Sequence, residues 1–375
     1  MKDKKTFIYA LAVYVGTIMG VGLFALPYVG SKSGFVTIFF YLILIGAIAA
    51  TINIFYGEIA SSTKGMHRLP GYAAMYLGAK AKPVAFFVKT FAIFGSLLAY
   101  LIIGGQFLAN LFDGSAILYT FIFFIFGSIL IWKDKKSIGP VELIMLFIFF
   151  GAIVFLFING MPKIEFVNLQ TFDSSNLFLP YGVILFSLWG ASIVPEIKEQ
   201  LKGDFQQIKK LIIIGLSICI LIYLLFIILI VGISGEETAI DAISGLEGSM
   251  GNWALSIGYI FGIIATFTSF IALGLTIKKL FWYDYGLPKK LGWFLACFIP
   301  IILFIIGMQD FISVIGVTGA VMLGIDGIIV ILIYLKMKKQ QKYTKMNILT
   351  LFSRTIMLLL AVGVLLEVYY FVVGF

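Results

Sequence analysis

Eleven long apolar runs, cut apart by short polar segments, leave this chain little choice of architecture. A helix that crosses ~30 Å of hydrocarbon needs about 20 mostly apolar residues, and only a helix or a closed barrel satisfies its own backbone there. Such runs fall near 7–30, 35–60, 90–112, 115–132, 141–159, 177–197, 211–233, 251–277, 291–308, 311–335 and 346–373. They predict an all-α integral membrane protein with 11 transmembrane helices, forming one domain over residues 1–375. A soluble domain is roughly half apolar and a quarter charged, whereas this chain is 61% hydrophobic and 12% charged. No water-soluble core could hide that surface.

Charge fixes how the helices are threaded. The polar segments on one side hold 23 of the 27 Lys and Arg residues, leaving out only Lys32, Lys89, Lys163 and Arg354. Cytoplasmic loops retain positive charge, so that side is predicted to be inside. The long segment 234–250 carries Glu236, Glu237, Asp241 and Glu247 without a basic residue, and is placed outside. An odd number of spans puts the N-terminus in the cytoplasm and the C-terminus outside in a multi-pass cell-membrane protein. Lys89 and Arg354 read as helix starts on the basic side.

The net charge of +9 does not point to nucleic acid, because the basic residues are spread over six short loops rather than gathered on one face. Lys2, Lys4 and Lys5 before an apolar run imitate a signal peptide, but the run continues past Gly30 without an Ala-x-Ala site, so it reads as a retained first span. Cys219 and Cys297 fall inside spans and imply neither a disulfide nor a metal site. The single histidine, His67, is a loop residue. No His-Glu-x-x-His, Gly-x-Ser-x-Gly or paired intramembrane Asp motif is present, which argues against an enzyme.

Two spans are interrupted. The first reads Gly16-Thr17-Ile18-Met19-Gly20-Val21-Gly22 and continues to Ala25-Leu26-Pro27; the sixth reads Phe186-Ser187-Leu188-Trp189-Gly190-Ala191-Ser192-Ile193-Val194-Pro195. Gly and Pro free backbone groups that lipid cannot satisfy, so such breaks belong where a helix lines protein or a cavity. A break at Gly20 to Gly22 leaves a half-helix N-terminus near the midplane, with free N–H groups suited to an anion such as a carboxylate. The two breaks lie five spans apart. They divide the chain into a first repeat over about 7–160, an inverted second repeat over about 177–335 and an extra helix over about 346–373. Paired interruptions of this kind mark the binding site of secondary transporters.

These motifs resemble the first and sixth helices of amino acid permeases in the amino acid–polyamine–organocation superfamily. They are most similar to its amino acid/auxin and hydroxy/aromatic amino acid permease branch. The resemblance implies the fold of the bacterial leucine transporter, with a 5+5 inverted repeat plus one helix. It implies that backbone N–H groups of Gly20, Val21 and Gly22 hold a substrate carboxylate and that carbonyls of Ser187, Leu188 and Gly190 meet its amine. Tyr100, Gly104, Trp189 and Phe267 are candidates for the specificity pocket. No Asp, Glu, Lys or Arg is expected near the breaks, which favours a neutral amino acid with a hydrophobic or aromatic side chain as the small-molecule partner.

The eighth span contains Ala265-Thr266-Phe267-Thr268-Ser269. Residues three and four apart share a helix face, and the pattern is similar to the sodium site of sodium-coupled members. Gly16, Met19, Ala265, Thr268 and Ser269 would then supply five oxygens, which suit a hard monovalent cation. The bland alternative is that these hydroxyls bond back to their own helix. Gly16 stands where sodium-coupled amino acid/auxin members often have Asn, so both sodium and protons stay open, and no other cofactor is expected. Asp326, deep in the tenth span, is a candidate proton or gate residue because charge in a membrane is costly. The resemblance further implies alternating access, with spans one, two, six and seven rocking against three, four, eight and nine. A receptor of the same fold, binding an amino acid without net transport, is the rival. Oligomeric state is not legible.

Overall fold

The computed structural model describes residues 2–65, 67–133, 139–340 and 352–373. Lys135, Lys136, Lys342, Lys345 and the start of the last apolar run at 346–351 lie outside the described residues. No β-strand occurs among those described. The helices are α1 (Lys2–Ile18), α2 (Gly22–Ser33), α3 (Phe35–Ser62), α4 (Leu69–Leu77), α5 (Ala81–Phe112), α6 (Ala116–Trp132) and α7 (Gly139–Gly160). They continue with α8 (Leu179–Ser187), α9 (Val194–Gln200), α10 (Phe205–Ser234), α11 (Asn252–Tyr285), α12 (Lys289–Ile305), α13 (Phe311–Val317), α14 (Gly324–Gln340) and α15 (Ser353–Val373). Among the described residues, seven stretches of helix are long and apolar enough to cross a membrane, or eight with the α1–α2 pair, which bends by 48° at its break.

Helix ends follow local chemistry. Asp204 caps α10 by accepting from the Gln206 and Gln207 N–H groups at 3.0 and 3.1 Å, the usual role of an N-cap carboxylate. Asp310 accepts from the Ile312 N–H to start α13. Pro180 and Pro195 sit in the first turns of α8 and α9, where a missing N–H costs nothing. The third span, α5, begins at Ala81, nine residues before the apolar run at 90, because a lysine such as Lys82 is compatible with helix though not with hydrocarbon.

The helices sort by contact into two groups. α1, α2, α3, α8, α9 and α10 pack on one another, and α5, α6, α11 and α12 form a second set. α1 touches α11 directly, and two elements lie between the sets: α7 touches α1 and α11, while the α13–α14 span touches α8, α3, α4 and α5. Within that bridging span, Thr318–Leu323 is a π-helix. It lies backbone against backbone on α8, since a Cβ on Gly319 would fall 1.9 Å from the Gly182 carbonyl oxygen. Small residues permit such approach where burial from water cannot drive association. The outer surface exposes Phe40, Ile158, Leu365 and Phe371, each 66–70% accessible, as a lipid-facing belt requires.

Candidate functional site

α1 stops at Ile18 because the chain turns on its glycines. The Gly20 N–H donates to the Ile18 carbonyl at 2.8 Å, and Leu23 and Phe24 donate to the carbonyls of Gly20 and Val21. The N–H groups of Gly20, Leu23 and Phe24 are thus spent in the turn, and no side chain caps the start of α2. Glycine is required at Gly22 by closeness: a Cβ there would lie 2.3 Å from Ser187 Oγ and 2.8 Å from Ser187 Cα. The two breaks therefore touch.

In the sixth span, α8 ends at Ser187 and the chain runs irregularly to Ala191. The Trp189 N–H donates to the Phe186 carbonyl and the Ile193 N–H to that of Gly190. The fully buried Tyr223 of α10 places its hydroxyl 2.8 Å from the Ile18 carbonyl and 2.9 Å from the Ser187 carbonyl. One O–H proton is thus offered to the last turns of two broken helices. Sequence reasoning missed Tyr223, whose only signal was a lone tyrosine in an apolar run.

A cavity of about 30 Å³ lies at the meeting point, lined by Thr17, Gly20, Val21, Gly22, Ser96, Tyr100, Phe186, Trp189 and Ser192 among others. It gathers Gly20, Val21, Gly22, Tyr100 and Trp189 from the residues expected above. Ser187 lies behind Gly22, Leu188 is fully buried, and Gly190 faces Tyr14, whose ring would be 2.7 Å from a Cβ there. Gly104 and Phe267 turn away from the cavity. A Cβ on Gly104 would meet the Phe123 ring at 2.4 Å, and Phe267 stands edge-on to Phe123 at 5.1 Å. Their helices present that face to α6, which a uniformly apolar sequence does not reveal.

The expectation of no charge near the breaks is overturned. Lys89 is not a surface residue at a helix start: it lies within α5, 5% exposed, and its Nζ donates to Asp326 Oδ2 and Ser192 Oγ, both at 3.1 Å. Trp189 Nε1 donates to the same Asp326 oxygen at 3.2 Å. Asp326 is 1% exposed, and its Oδ1 is buried without a hydrogen bond. Burying each charge beside an opposite one is the condition on which buried ions are tolerated. Because the pair sums to zero, the site still presents no net charge.

Of the candidate sodium residues, Ser269 comes nearest the first break, with Oγ 3.3 Å from a Cβ on Gly20, and it is buried without a hydrogen-bond partner. An orphaned hydroxyl there fits an oxygen-seeking cation. The Thr268 hydroxyl instead donates to the Ile264 and Ala265 carbonyls at 3.0 and 3.1 Å, so two of the five oxygens already serve one another. Gly16 has no atom within 4 Å of its Cβ position.

Ion pairs close the basic end. Arg68, just before α4, bonds Glu196 of α9 at 2.7 Å and Glu199 at 3.5 Å, and Glu58 of α3 pairs with Lys338 of α14. At the opposite end, Asp241 accepts from Asn110 Nδ2 at 3.1 Å and from the Ser244 N–H and hydroxyl. Burial lifts its carboxyl above the usual carboxylate range, against those Ser244 hydrogen bonds. Glu367 of α15 borders a separate cavity of about 270 Å³ with Tyr370 and Gly316.

The model of the tryptophan/tyrosine permease family matches residues 3–370. The chain belongs to that family. It is therefore a membrane transporter rather than an enzyme. A search of curated proteins found no match. Among solved structures, the permease resembles the Eremococcus coleocola manganese transporter in complex with an aromatic bis-isothiourea substituted compound. The TM-score is 0.75 at 13% identity, covering 98% of this chain and 88% of that one. It also resembles MhsT in complex with L-phenylalanine, with a TM-score of 0.69 at 16% identity over 97% of both chains. These likenesses establish that the permease has the leucine-transporter fold.

Proposed function

We propose that this permease takes up a neutral amino acid with an aromatic or hydrophobic side chain by alternating access, coupled to sodium or protons. The observation that carries this reading is the contact of the two breaks at Gly22 and Ser187 beside the small cavity. The N–H groups of Val21 and Gly22 would hold the carboxylate, joined by that of Gly20 once its bond to the Ile18 carbonyl gives way, and carbonyls near Ser187 to Gly190 the amine. Tyr100 and Trp189 would face the side chain. MhsT, a neighbour of the same fold, is described with L-phenylalanine, and the family name points to tryptophan and tyrosine. The first break carries Met19, Gly20, Val21 and Gly22, with no carboxylate to ligate a metal ion as cargo.

Ligand pockets run to roughly 300–1,000 Å³, so a cavity of about 30 Å³ belongs to a closed state, and loading requires the helices to part. In this reading there are eleven spans, an inverted repeat over about 7–160 and 177–335, and an added helix, with the basic side in the cytoplasm. The contact groups described above are the units that would rock, with α7 and α13–α14 between them. Gly16, Met19, Ala265, Thr268 and Ser269 are the residues that would hold sodium.

Thermal stabilisation of the purified protein by the twenty amino acids, each in sodium and in choline at two pH values, tests this. A ligand at 100 times its dissociation constant stabilises by about 2.7 kcal/mol. A shift confined to aromatic and large apolar amino acids is expected; a shift with none of the twenty overturns the substrate class. Counterflow uptake in vesicles separates a carrier from a receptor.

A further inference from the structure

We propose that Asp326 is the site that binds the coupling proton, with Lys89 as its fixed counter-ion. This rests on the transporter reading above and decides between the two ions it leaves open. Three observations point to it. First, Asp326 spends only one oxygen on its partners: Oδ2 accepts from Lys89 and Trp189, while Oδ1 is buried and unpartnered. A lone pair is therefore free for a proton.

Second, the residues that surround Asp326 border two small cavities, Trp189 and Ser192 the one and Lys89 and Ser192 the other, while Asp326 itself lines neither. One is the cavity of about 30 Å³ beside Gly20 to Gly22; the other, about 10 Å³, is lined by Lys89, Arg68 and Tyr56, and Ile93 and Ser192 border both. Volumes of about 10–15 Å³ are the lower limit for one water, so there is room for water on either side of Ile93 and Ser192, the second cavity only just reaching that size. Third, the cluster ties together all the parts that must move. Lys89 belongs to the α5 set, Trp189 and Ser192 to the segment between α8 and α9, and Asp326 to the bridging span.

The charged and titratable groups facing Asp326 are few. α5 contributes Lys89 and α3 contributes Tyr56, which touches Tyr72 of α4 edge-on at 5.8 Å. Arg68 with Glu196 lies one cavity further on. The π segment has no titratable side chain, and α15 offers Leu360 against Gly327.

The step balances simply. In the outward-open state water delivers a proton to Oδ1, forming one O–H bond as another is broken in the donor. Asp326 becomes neutral, and Lys89 keeps its ammonium charge and its bond to Ser192 while losing its counter-ion. The tie between α5 and the bridging span weakens, and with it the hold on Trp189. After the turn inward the proton passes to water at the basic end and the pair re-forms. A zwitterionic amino acid carried with one proton moves one positive charge, so transport is electrogenic.

The test uses the whole protein in proteoliposomes with labelled L-tryptophan, L-tyrosine and L-phenylalanine, under an inward proton gradient and, separately, in counterflow. Wild type should accumulate label with the proton gradient in the absence of sodium. Asp326→Asn should fall to the level of protein-free vesicles in accumulation while still exchanging label in counterflow. If Asp326→Asn misfolds, the double variant Lys89→Met with Asp326→Asn serves, because neutralising both members removes the unpaired charge. A merely structural pair would be rescued by that double variant, accumulation included, and this result overturns the proposal. Proton-driven accumulation by Asp326→Asn, or wild-type accumulation that follows sodium and ignores pH, overturns it equally. Absence of counterflow in wild type overturns the transporter reading itself, and the proton site with it.

Discussion

Gly20–Gly22 and Leu188–Gly190 interrupt their helices at facing positions, yet only the second has charge beside it. Around the first break the neighbours are Tyr100, Ser187 and Ser269, and the polar groups on offer are backbone N–H groups. Around the second, Trp189 and Ser192 hand hydrogen bonds to or from a buried Lys–Asp pair. Backbone dipoles cannot be titrated, so they give a constant affinity for a carboxylate. A carboxylate held by one oxygen can change state. In the mechanism proposed above the two breaks divide recognition from switching, and Tyr223, poised between the Ile18 and Ser187 carbonyls, is the physical link between them.

The division is broken most severely at the first break. Gly22→Leu puts a side chain where Ser187 already stands and should abolish amino acid binding, seen as loss of every ligand-induced thermal shift; retained binding would remove the site from this place. Gly16→Ala, four residues from Gly20 with open space at its Cβ, should bind as wild type does. At the second break, Lys89→Met strands Asp326 as an unpaired buried charge. Removing one partner of such a pair costs about 3–5 kcal/mol, readable as a large fall in Tm, and adding Asp326→Asn should recover most of it.

Tyr223→Phe sharpens the link. It leaves two buried carbonyls short of a donor, at about 1–3 kcal/mol for an unsatisfied group, and should lower both Tm and affinity for the amino acid, whereas equal affinity would show the hydroxyl to be passive. Ser269→Ala measures whether the first break holds an ion: any sodium dependence of stabilisation should vanish with it. The smallest effect lies far from both breaks, at Asp241. Its folded pKa is raised, so the stability it contributes is full below the unfolded value of about 3.9 and is lost as pH rises through the folded value. Asp241→Asn should flatten that part of the stability–pH curve, measured as Tm across the acid range.

Much of this molecule was legible because hydrocarbon imposes length and Gly and Pro mark where a helix can stop. The positions of helices and both breaks follow from that, whereas the gathering of Tyr100 and Trp189 with Gly20 to Gly22 was implied by the family resemblance. What stayed hidden depends on facing. In spans apolar all round, such as α6, no periodicity tells which side meets a neighbour, so Gly104 and Phe267 were assigned to a pocket when they pack on Phe123. Lys89 and Asp326 lie 237 residues apart, and a lysine close to the basic end reads naturally as one that reaches for water.

The π turn at Thr318–Leu323 also acts as a clock. An α-helix advances 100° per residue, and a π turn accommodates one more residue than the helix around it. That extra residue sets the phase in which Asp326, three residues beyond it, comes round to Lys89, while Gly319 stays seated on Gly182. Straightening this hexapeptide into α-helix with all six residues kept would leave composition, hydropathy and length untouched. It would nevertheless rotate the carboxylate by about 100°, about a quarter turn away from its partner, so the timing of the charge in this span is written in residue number rather than in residue type.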